Sequence, residues 1–381
     1  MAQTFDVIVV GVGTMGAAAC RHLAQRGVRV LGLEQFDIPN TMASHHGFSR
    51  MIRLCYFEHP DYVPLLRRAY ELWRELEQET GREILHVTGG LYMGPPNSEV
   101  ITGCLRSARE HHLPHETLDR EALRRRYPQF EVPDEFVAML DHDAGFVLPE
   151  RAVSAHVDLA LRAGAEIHAR EPVIDWSATQ SGVTVKTNRD RYSAAKLIIT
   201  TGAWTNDVAF DFGVDLVVTR QTLAWVWPKN PALFERGTLP VWLLDQHDGT
   251  THYGFPMIAD NPGFKLARHS GGTPIDNPDH LDRNQQQGDE ESVRSVLRKH
   301  IPQADGPLLG LRQCMYTNTR DGDFVIDRHP AHDNVIVASP CSGHGFKFQP
   351  VMGQILAELA TEGRSTLPID FMRADRLRTP R

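Results

Sequence analysis

Lysine is scarce in this chain. Of forty basic residues only six are lysines, the first at Lys186, so ordinary surface charge is written as arginine. The five cysteines (20, 55, 104, 314 and 341) are odd in number and scattered, which argues against a disulfide framework. Positive charge is not in excess, and a net charge of −8 with mixed signs leaves no basic face for nucleic acid. No apolar run reaches the roughly 20 residues that span a bilayer. The first strand begins too soon to leave room for a signal peptide. Internal repeats and low-complexity tracts are missing as well. What remains is 381 residues, 41% apolar and 23% charged, the composition of a globule large enough for two domains. We expect a cytoplasmic, enzyme-sized protein without nucleic-acid or membrane partners.

Asp6-Val7-Ile8-Val9-Val10 is a continuous apolar run, the pattern of a parallel strand buried on both faces. Gly11-Val12-Gly13-Thr14-Met15-Gly16 follows directly, then a helix-compatible stretch stopped at Gly27, then a second strand over 28–33 that ends at Glu34. This is the spacing of the dinucleotide-binding βαβ unit. Gly11 makes the tight turn, Gly13 lets a pyrophosphate approach the backbone, and Gly16 lets helix pack on strand. Glu34 stands where a carboxylate grips a ribose 2′-hydroxyl, which disfavours the 2′-phosphate of NADP. The fingerprint alone does not choose between FAD and NAD.

The next loop, Ser44-His45-His46-Gly47-Phe48-Ser49-Arg50-Met51-Ile52-Arg53, packs two histidines and two arginines beside that unit. No carboxylate or cysteine lies at ligand spacing, so no metal site is expected. Fixed cations there suit an anionic substrate or an electron-rich ring, although solvated histidines and carbonyl-capping arginines would also account for them.

Near the other end, Gly310-Leu311-Arg312-Gln313-Cys314-Met315-Tyr316-Thr317 precedes Ser342-Gly343-His344-Gly345-Phe346-Lys347-Phe348, a glycine turn opening onto an apolar helix over 351–359. Such a turn leaves backbone N–H groups unpaired at a helix N-terminus, where partial positive charge collects. Lys347 adds a full charge. Lys265 sits in a similar apolar setting, Gly-Phe-Lys-Leu. Two readings stand for both lysines: a snorkelling side chain at a strand edge, or a partly buried amine used in chemistry.

Between these ends the periodicity predicts an amphipathic helix capped by Asp61 and stopped at Gly81. It predicts a strand over 84–94 kinked at Gly89-Gly90, helices over 98–111 and 119–126, turns at 111–115 and 141–145, and a helix opened by Pro149. A meander follows over 172–204, then strand-like segments at 216–227, 241–244, 252–255 and 264–267, a solvated polar loop over 282–289, and a helix to His300. The fold expected is α/β. A discontinuous Rossmann-like FAD-type domain (1–83, 145–215 and 320–381) receives an α+β substrate domain (84–144 and 216–319) built on a mostly antiparallel sheet.

Six segments occur in family order: Gly11-x-Gly13-x-x-Gly16, Ser44-His45-His46-Gly47-x-x-Arg50-x-x-Arg53, Tyr253-Gly254-Phe255-Pro256, Lys265-x-x-x-His269, Cys314-Met315-Tyr316-Thr317 and Ser342 to Phe348. With them the sequence resembles the monomeric sarcosine oxidase and N-methyltryptophan oxidase family, flavoenzymes that oxidise secondary amino acids. The resemblance implies FAD held through a thioether on Cys314, with Gly11, Gly13, Gly16, Glu34, Ser44, Val173, Gly343, Gly345 and Lys347 binding the cofactor. It implies Arg53 and Lys347 on the substrate carboxylate with Tyr253 nearby, and His269 and Tyr316 beside the amine. Arg50 and His46 fall next to the flavin ring, and Lys265 on the opposite face as the cation that activates oxygen. A small amino acid and O₂ as partners, H₂O₂ as a product and a monomeric state are further implications.

The chain departs from the family pattern around the clamp. Phe48-Ser49 replaces an Asp-Thr pair, and Leu54-Cys55-Tyr56-Phe57-Glu58-His59 replaces a histidine and small residues, so the acyl end of the pocket is expected to be more apolar. The N-substituent stays open: methyl, a cyclic imino acid or a bulkier alkyl group. Alternatives to the oxidase are a dehydrogenase of such a substrate with another electron acceptor, a nicotinamide reductase and a non-catalytic dinucleotide-binding protein.

Overall fold

The N-terminal apolar run becomes the strand Gln3–Val10 of an eight-stranded sheet, in a computed structural model that describes residues 3–259 and 263–378. Ile8 and Val9 are fully buried, as a strand covered on both faces requires. This strand pairs in parallel with Val30–Leu33 and with Arg191–Ile199. Arg191–Ile199 pairs antiparallel with Gly182–Thr187 through its first half and parallel with His332–Ser339 through its second. The sheet is therefore assembled from both ends and the middle of the chain. Helix Thr14–Gln25 lies against Pro149–Arg162 and Gln349–Thr361, its alanine-rich face buried.

A nine-stranded sheet carries the other large layer. Its longest pairing joins Val217–Val226 to Leu308–Asn318, antiparallel, and Phe264–Arg268 flanks the former on its other edge. Every pairing in this sheet is antiparallel except Val241–Asp245 against Gly90–Gly94. A small third sheet sets Gly145–Val147 between Arg50–Ile52 and Leu85–Val87. The amphipathic helix runs Tyr62–Thr80 and stops at Gly81, whose φ of 66° is left-handed. No helix among the described residues is long and apolar enough to cross a membrane.

Two local expectations change. The strand expected over 84–94 is two strands in different sheets, Leu85–Val87 and Gly90–Gly94, because the Gly89-Gly90 break hands the chain from one sheet to the other. The turns expected at 111–115 and 141–145 are kept at His111-His112 and His142-Asp143, with the strands His115–Leu118, Val137–Asp141 and Gly145–Val147 at their edges, and Asp141 is buried. The polar run ending at Asp289 is not wholly solvated: Asp289 is buried on the Arg220 guanidinium at 2.7 and 2.8 Å. Arg220 lies 69 positions away, so nothing local betrayed that pair.

Candidate active site

A cavity of about 660 Å³ is lined from both large sheets. Gly11, Gly13, Glu34, Ser44 and Val173 are part of its lining. Gly11 turns with φ of 88°, and a Cβ there would come 2.6 Å from the Thr200 carbonyl oxygen, so only glycine fits. A Cβ on Gly13 would meet nothing closer than His45 Nδ1 at 4.0 Å, leaving the backbone open to the cavity. Gly16 does not line it. Its hydrogen faces the Gly11 carbonyl, which a Cβ would approach to 1.9 Å, so its contribution is helix packing. Burial raises the Glu34 carboxyl to about 7, against the lowering effect of the Phe36, Val12 and Gln35 amides that hydrogen-bond to it.

The turn Ser342-Gly343-His344-Gly345 leads through Phe346–Phe348 into helix Gln349–Thr361. A Cβ on Gly345 would sit 1.7 Å from the Pro340 carbonyl oxygen, which fixes the closeness of the turn. Lys347, buried, donates to the His344 carbonyl at 2.5 Å and to Tyr56 Oη at 3.4 Å. Tyr56 Oη in turn lies 2.6 Å from His344 Nδ1, and His344 Nε2 lies 3.0 Å from the Gly322 carbonyl. A carbonyl only accepts, so Nε2 carries the proton and Nδ1 receives the tyrosine hydroxyl. Burial holds His344 down to about 3, consistent with that neutral tautomer, and holds the Lys347 amine well below its ordinary value. Trp73 Nε1 donates to the Lys347 carbonyl at 3.0 Å and ties the turn to helix Tyr62–Thr80.

Arg53 also lines the cavity, but its guanidinium is already engaged. Arg53 Nη2 donates to both oxygens of Glu58, at 2.6 and 2.7 Å, and its Cζ lies over the rings of Tyr56 (4.2 Å) and Phe57 (4.4 Å). Burial alone would lift the Glu58 carboxyl, yet Arg53, His344 and Lys347 together pull it down to about 2. The loop carrying this pair is pinned from three sides. Asp141 accepts the Leu54 and Cys55 amides at 3.1 and 2.9 Å, Cys104 Sγ donates to the Cys55 carbonyl at 3.2 Å, and Ser107 Oγ donates to the Tyr56 carbonyl.

Tyr253, His269 and Tyr316 form an aromatic corner of the same cavity, with ring centroids 6.1 Å (Tyr253 to His269) and 5.9 Å (His269 to Tyr316) apart. Burial depresses His269 to about 4, so it is neutral near pH 7. Burial pushes the Tyr316 phenol well above its ordinary value, and the neighbouring Tyr253 adds to the effect.

Three singled-out residues stand behind the lining. Cys314 is buried, with Sγ 3.3 Å from the Ser44 carbonyl and 3.9 Å from Arg50 Nη2. His46 Nε2 lies 3.0 Å from the Gln313 carbonyl, and burial lowers the ring to about 3. Lys265 is fully buried, its Nζ 2.7 Å from the Gly47 and Ser49 carbonyls and 3.2 Å from Ser49 Oγ, with the Phe255 ring at 4.7 Å. Arg50 lines the cavity while donating to the carbonyls of Ser44, His46 and Ser49. Phe48 has φ of 69°, a left-handed conformation that costs a non-glycine residue about 1–3 kcal/mol.

Sequence reasoning gave no role to Glu58, Glu150 or Tyr56. Glu150 was read only as part of a helix, but its carboxylate accepts the Gly47 and Phe48 amides at 2.8 and 3.1 Å. The partner lies 103 positions away, so no motif could have carried it. Glu58 did leave a trace, since it falls within the segment that departs from the family pattern. No group of three or more His, Cys, Asp or Glu side chains among the described residues is placed to hold a metal ion.

Residues 6–359 match the DAO family of FAD dependent oxidoreductases. The chain is similar to the monomeric sarcosine oxidase of Streptomyces avermitilis, 43% identical over 381 residues that cover 99% of this chain and 99% of that protein. It is similar to the N-methyl-L-tryptophan oxidase of Salmonella agona, 34% identical over 357 residues, 93% of this chain and 94% of that protein. Among solved structures it is similar to the open form of NikD, an unusual amino acid oxidase essential for nikkomycin biosynthesis, with a TM-score of 0.86, 26% identity and 97% of each chain covered.

Proposed function

Because the chain belongs to the DAO family of FAD dependent oxidoreductases, we propose that it is an oxidase of secondary amino acids, with sarcosine and other N-methyl amino acids as the substrate class. The observation that carries this reading is one cavity with two chemistries: a dinucleotide cradle at Gly11, Gly13 and Glu34, and a cationic, aromatic pocket at Arg53, Tyr253, His269, Tyr316 and Lys347. The cradle fits FAD, since Gly13 leaves its backbone open where a pyrophosphate must come close. When bound, FAD supplies a two-electron acceptor that takes hydride from the carbon beside the amine nitrogen and passes the electrons to O₂, yielding an imine and H₂O₂.

The protein's own part is binding, orientation and charge. Ser44, Val173, Gly343 and Gly345 shape the wall along the cofactor, and Lys347 with the helix behind it supplies fixed positive charge where negative charge accumulates. Arg53 and Lys347 hold the substrate carboxylate, with Tyr253 beside them; the guanidinium fork suits that anion. At Arg53 Nη2 the substrate carboxylate competes with Glu58. His269 and Tyr316, both neutral near pH 7, favour the uncharged amine, whose lone pair hydride loss requires. Cys314 attaches the cofactor through sulfur, with Arg50 and His46 as the neighbouring donors. Lys265 is the cation on the oxygen side. On the same reading 1–83, 145–215 and 320–381 carry the cofactor, and 84–144 and 216–319 carry the substrate side. Membership of the two large sheets supports this division, whereas the small sheet crosses it by pairing Leu85–Val87 with Gly145–Val147; residues 1, 2, 260–262 and 379–381 lie outside the described set.

A second reading, a dehydrogenase of a cyclic or bulkier N-substituted amino acid with an acceptor other than O₂, draws on one observation: Lys265 Nζ is already engaged by three oxygens within the protein. Oxygen uptake and peroxide yield, measured with sarcosine, N-methyltryptophan, pipecolate, iminodiacetate and a glycated amino acid, separate the two. Peroxide equal to substrate consumed is expected. Anaerobic bleaching by substrate without aerobic peroxide establishes the dehydrogenase, and a protein left colourless after FAD is supplied refutes both.

A further inference from the structure

The strained peptide at Phe48 lies between two opposite charges. Gly47, Phe48 and Ser49 form a γ-turn, closed by the Ser49 amide on the Gly47 carbonyl at 2.9 Å, with Phe48 at φ 69° as the central residue. A γ-turn of this hand is rare and strained, so something outside must hold it. Its amides point one way. Those of Gly47 and Phe48 both reach one oxygen of Glu150, at 2.8 and 3.1 Å. Its carbonyls point the other way, those of Gly47 and Ser49 each 2.7 Å from Lys265 Nζ. The Glu150 carboxylate polarises the same peptide groups whose oxygens receive the ammonium, and hydrogen bonds in such a chain reinforce one another. Glu150 itself is fixed in the first turn of helix Pro149–Arg162, where a carboxylate is favoured by the helix dipole. Behind Phe48 stands Trp225, edge-on at 6.0 Å, so the turn has little room to rotate.

We infer that Glu150 is a positioning residue for the oxidative half of the reaction: acting through the Gly47–Ser49 turn, it fixes where the Lys265 charge sits. The inference rests on the proposed role of Lys265. In that half, two electrons and two protons pass from the reduced cofactor to O₂ and give H₂O₂. Negative charge appears on oxygen with the first electron, and a cation stabilises it only at the right distance. Lys265 Nζ already meets three oxygens of the Gly47–Ser49 turn, so that turn decides where its charge sits. A side chain that touches neither substrate nor oxygen thereby sets the reoxidation rate.

The test separates the half-reactions of the holoenzyme in a stopped-flow instrument, alongside hydrogen–deuterium exchange of the peptide spanning 45–50. Glu150→Ala is expected to slow reoxidation by about tenfold or more, the scale set by misplacing an active group. Anaerobic reduction by substrate should slow less than reoxidation does, since Arg53, His269 and Lys347 lie outside the turn, whereas Arg50 donates to the Ser49 carbonyl within it. Exchange over 45–50 should rise in the same variant. Glu150→Gln keeps an oxygen for both amides and should restore protection and most of the rate. Should Glu150→Ala not yield folded holoenzyme, Glu150→Asp withdraws the carboxylate by one methylene while keeping its charge, and slower reoxidation is again expected. Parental reoxidation in the alanine or aspartate variant, with Lys265→Met slow, overturns the inference alone. Parental reoxidation in Lys265→Met overturns the reading on which it rests.

Discussion

Glu58→Gln tests whether the acid clamp must first be vacated. Arg53 is buried and spends one nitrogen on both Glu58 oxygens, at 2.6 and 2.7 Å. A substrate carboxylate that takes the Nη2 edge of that guanidinium competes with Glu58 for it, so its apparent affinity carries the cost of weakening the internal pair. A hydrogen bond between charged groups contributes about 1.5–3 kcal/mol. The Coulomb term at 4 Å, about 4 kcal/mol at an effective dielectric of 20, sets the ceiling. Glutamine keeps the shape and an acceptor oxygen but gives up most of the charge-assisted part. Carboxylate ligands should therefore bind about ten- to a hundredfold tighter in the variant, at about 1.4 kcal/mol per tenfold. Anaerobic spectral titration with a carboxylate that cannot be oxidised measures this, and the matching primary amide, which carries no charge, should gain little. The same variant should lower the melting temperature, because it leaves a buried guanidinium with a weaker partner, and breaking such a pair outright costs about 3–5 kcal/mol. Unchanged or weaker carboxylate binding refutes the competition, and with it the assignment of Arg53 as the acid anchor.

Other outcomes follow from the same geometry. Cys314→Ser should let the yellow chromophore leave the protein on acid denaturation, and colour retained by the denatured variant moves the covalent bond elsewhere. Gly16→Ala forces a methyl group to 1.9 Å from the Gly11 carbonyl oxygen. It should cost about 1–3 kcal/mol of stability and lower flavin content, read from the melting curve and the visible-to-ultraviolet absorbance ratio, and a parental curve refutes it. Stability should fall on acidification below pH 6.5: burial holds His344 down to about 3 against 6.5 unfolded, so the unfolded chain binds the extra proton throughout that window. Each such histidine gives a slope of at most about 1.4 kcal/mol per pH unit inside that window; the stability it contributes is whole above 6.5 and is lost as the pH drops towards 3. His344→Gln should flatten the melting temperature between pH 5 and 7, and an unchanged slope rules out His344 as a source.

The legible parts of this protein were those whose signals are local. The strand ending at Val10, the glycine turn, and the helix from Tyr62 to Gly81 each show a pattern within one or two turns of chain, and the structure keeps them with boundary shifts of a few residues. The cationic loop was visible because arginine and histidine cluster in ten residues. Its geometry was not visible, since the groups that hold it, Glu150 and Lys265, come from 103 and 218 positions away. Arg53 shows both sides of this limit. The residue could be picked out as a candidate anchor, but its pairing with Glu58 depends on a loop pinned by Asp141, Cys104 and Ser107, which no periodicity records.

The central sheet has a consequence for how the protein is made. Gly11 rests against Thr200, Arg191–Ile199 separates the first strand from His332–Ser339, and the cradle's far wall is the turn before Gln349–Thr361. A nascent chain emerging from the ribosome can fold its first helix early, yet nine-tenths of synthesis must pass before any pocket exists. A chain truncated ahead of residue 332 lacks His332–Ser339 and the turn before Gln349–Thr361, and so has no complete pocket to fill.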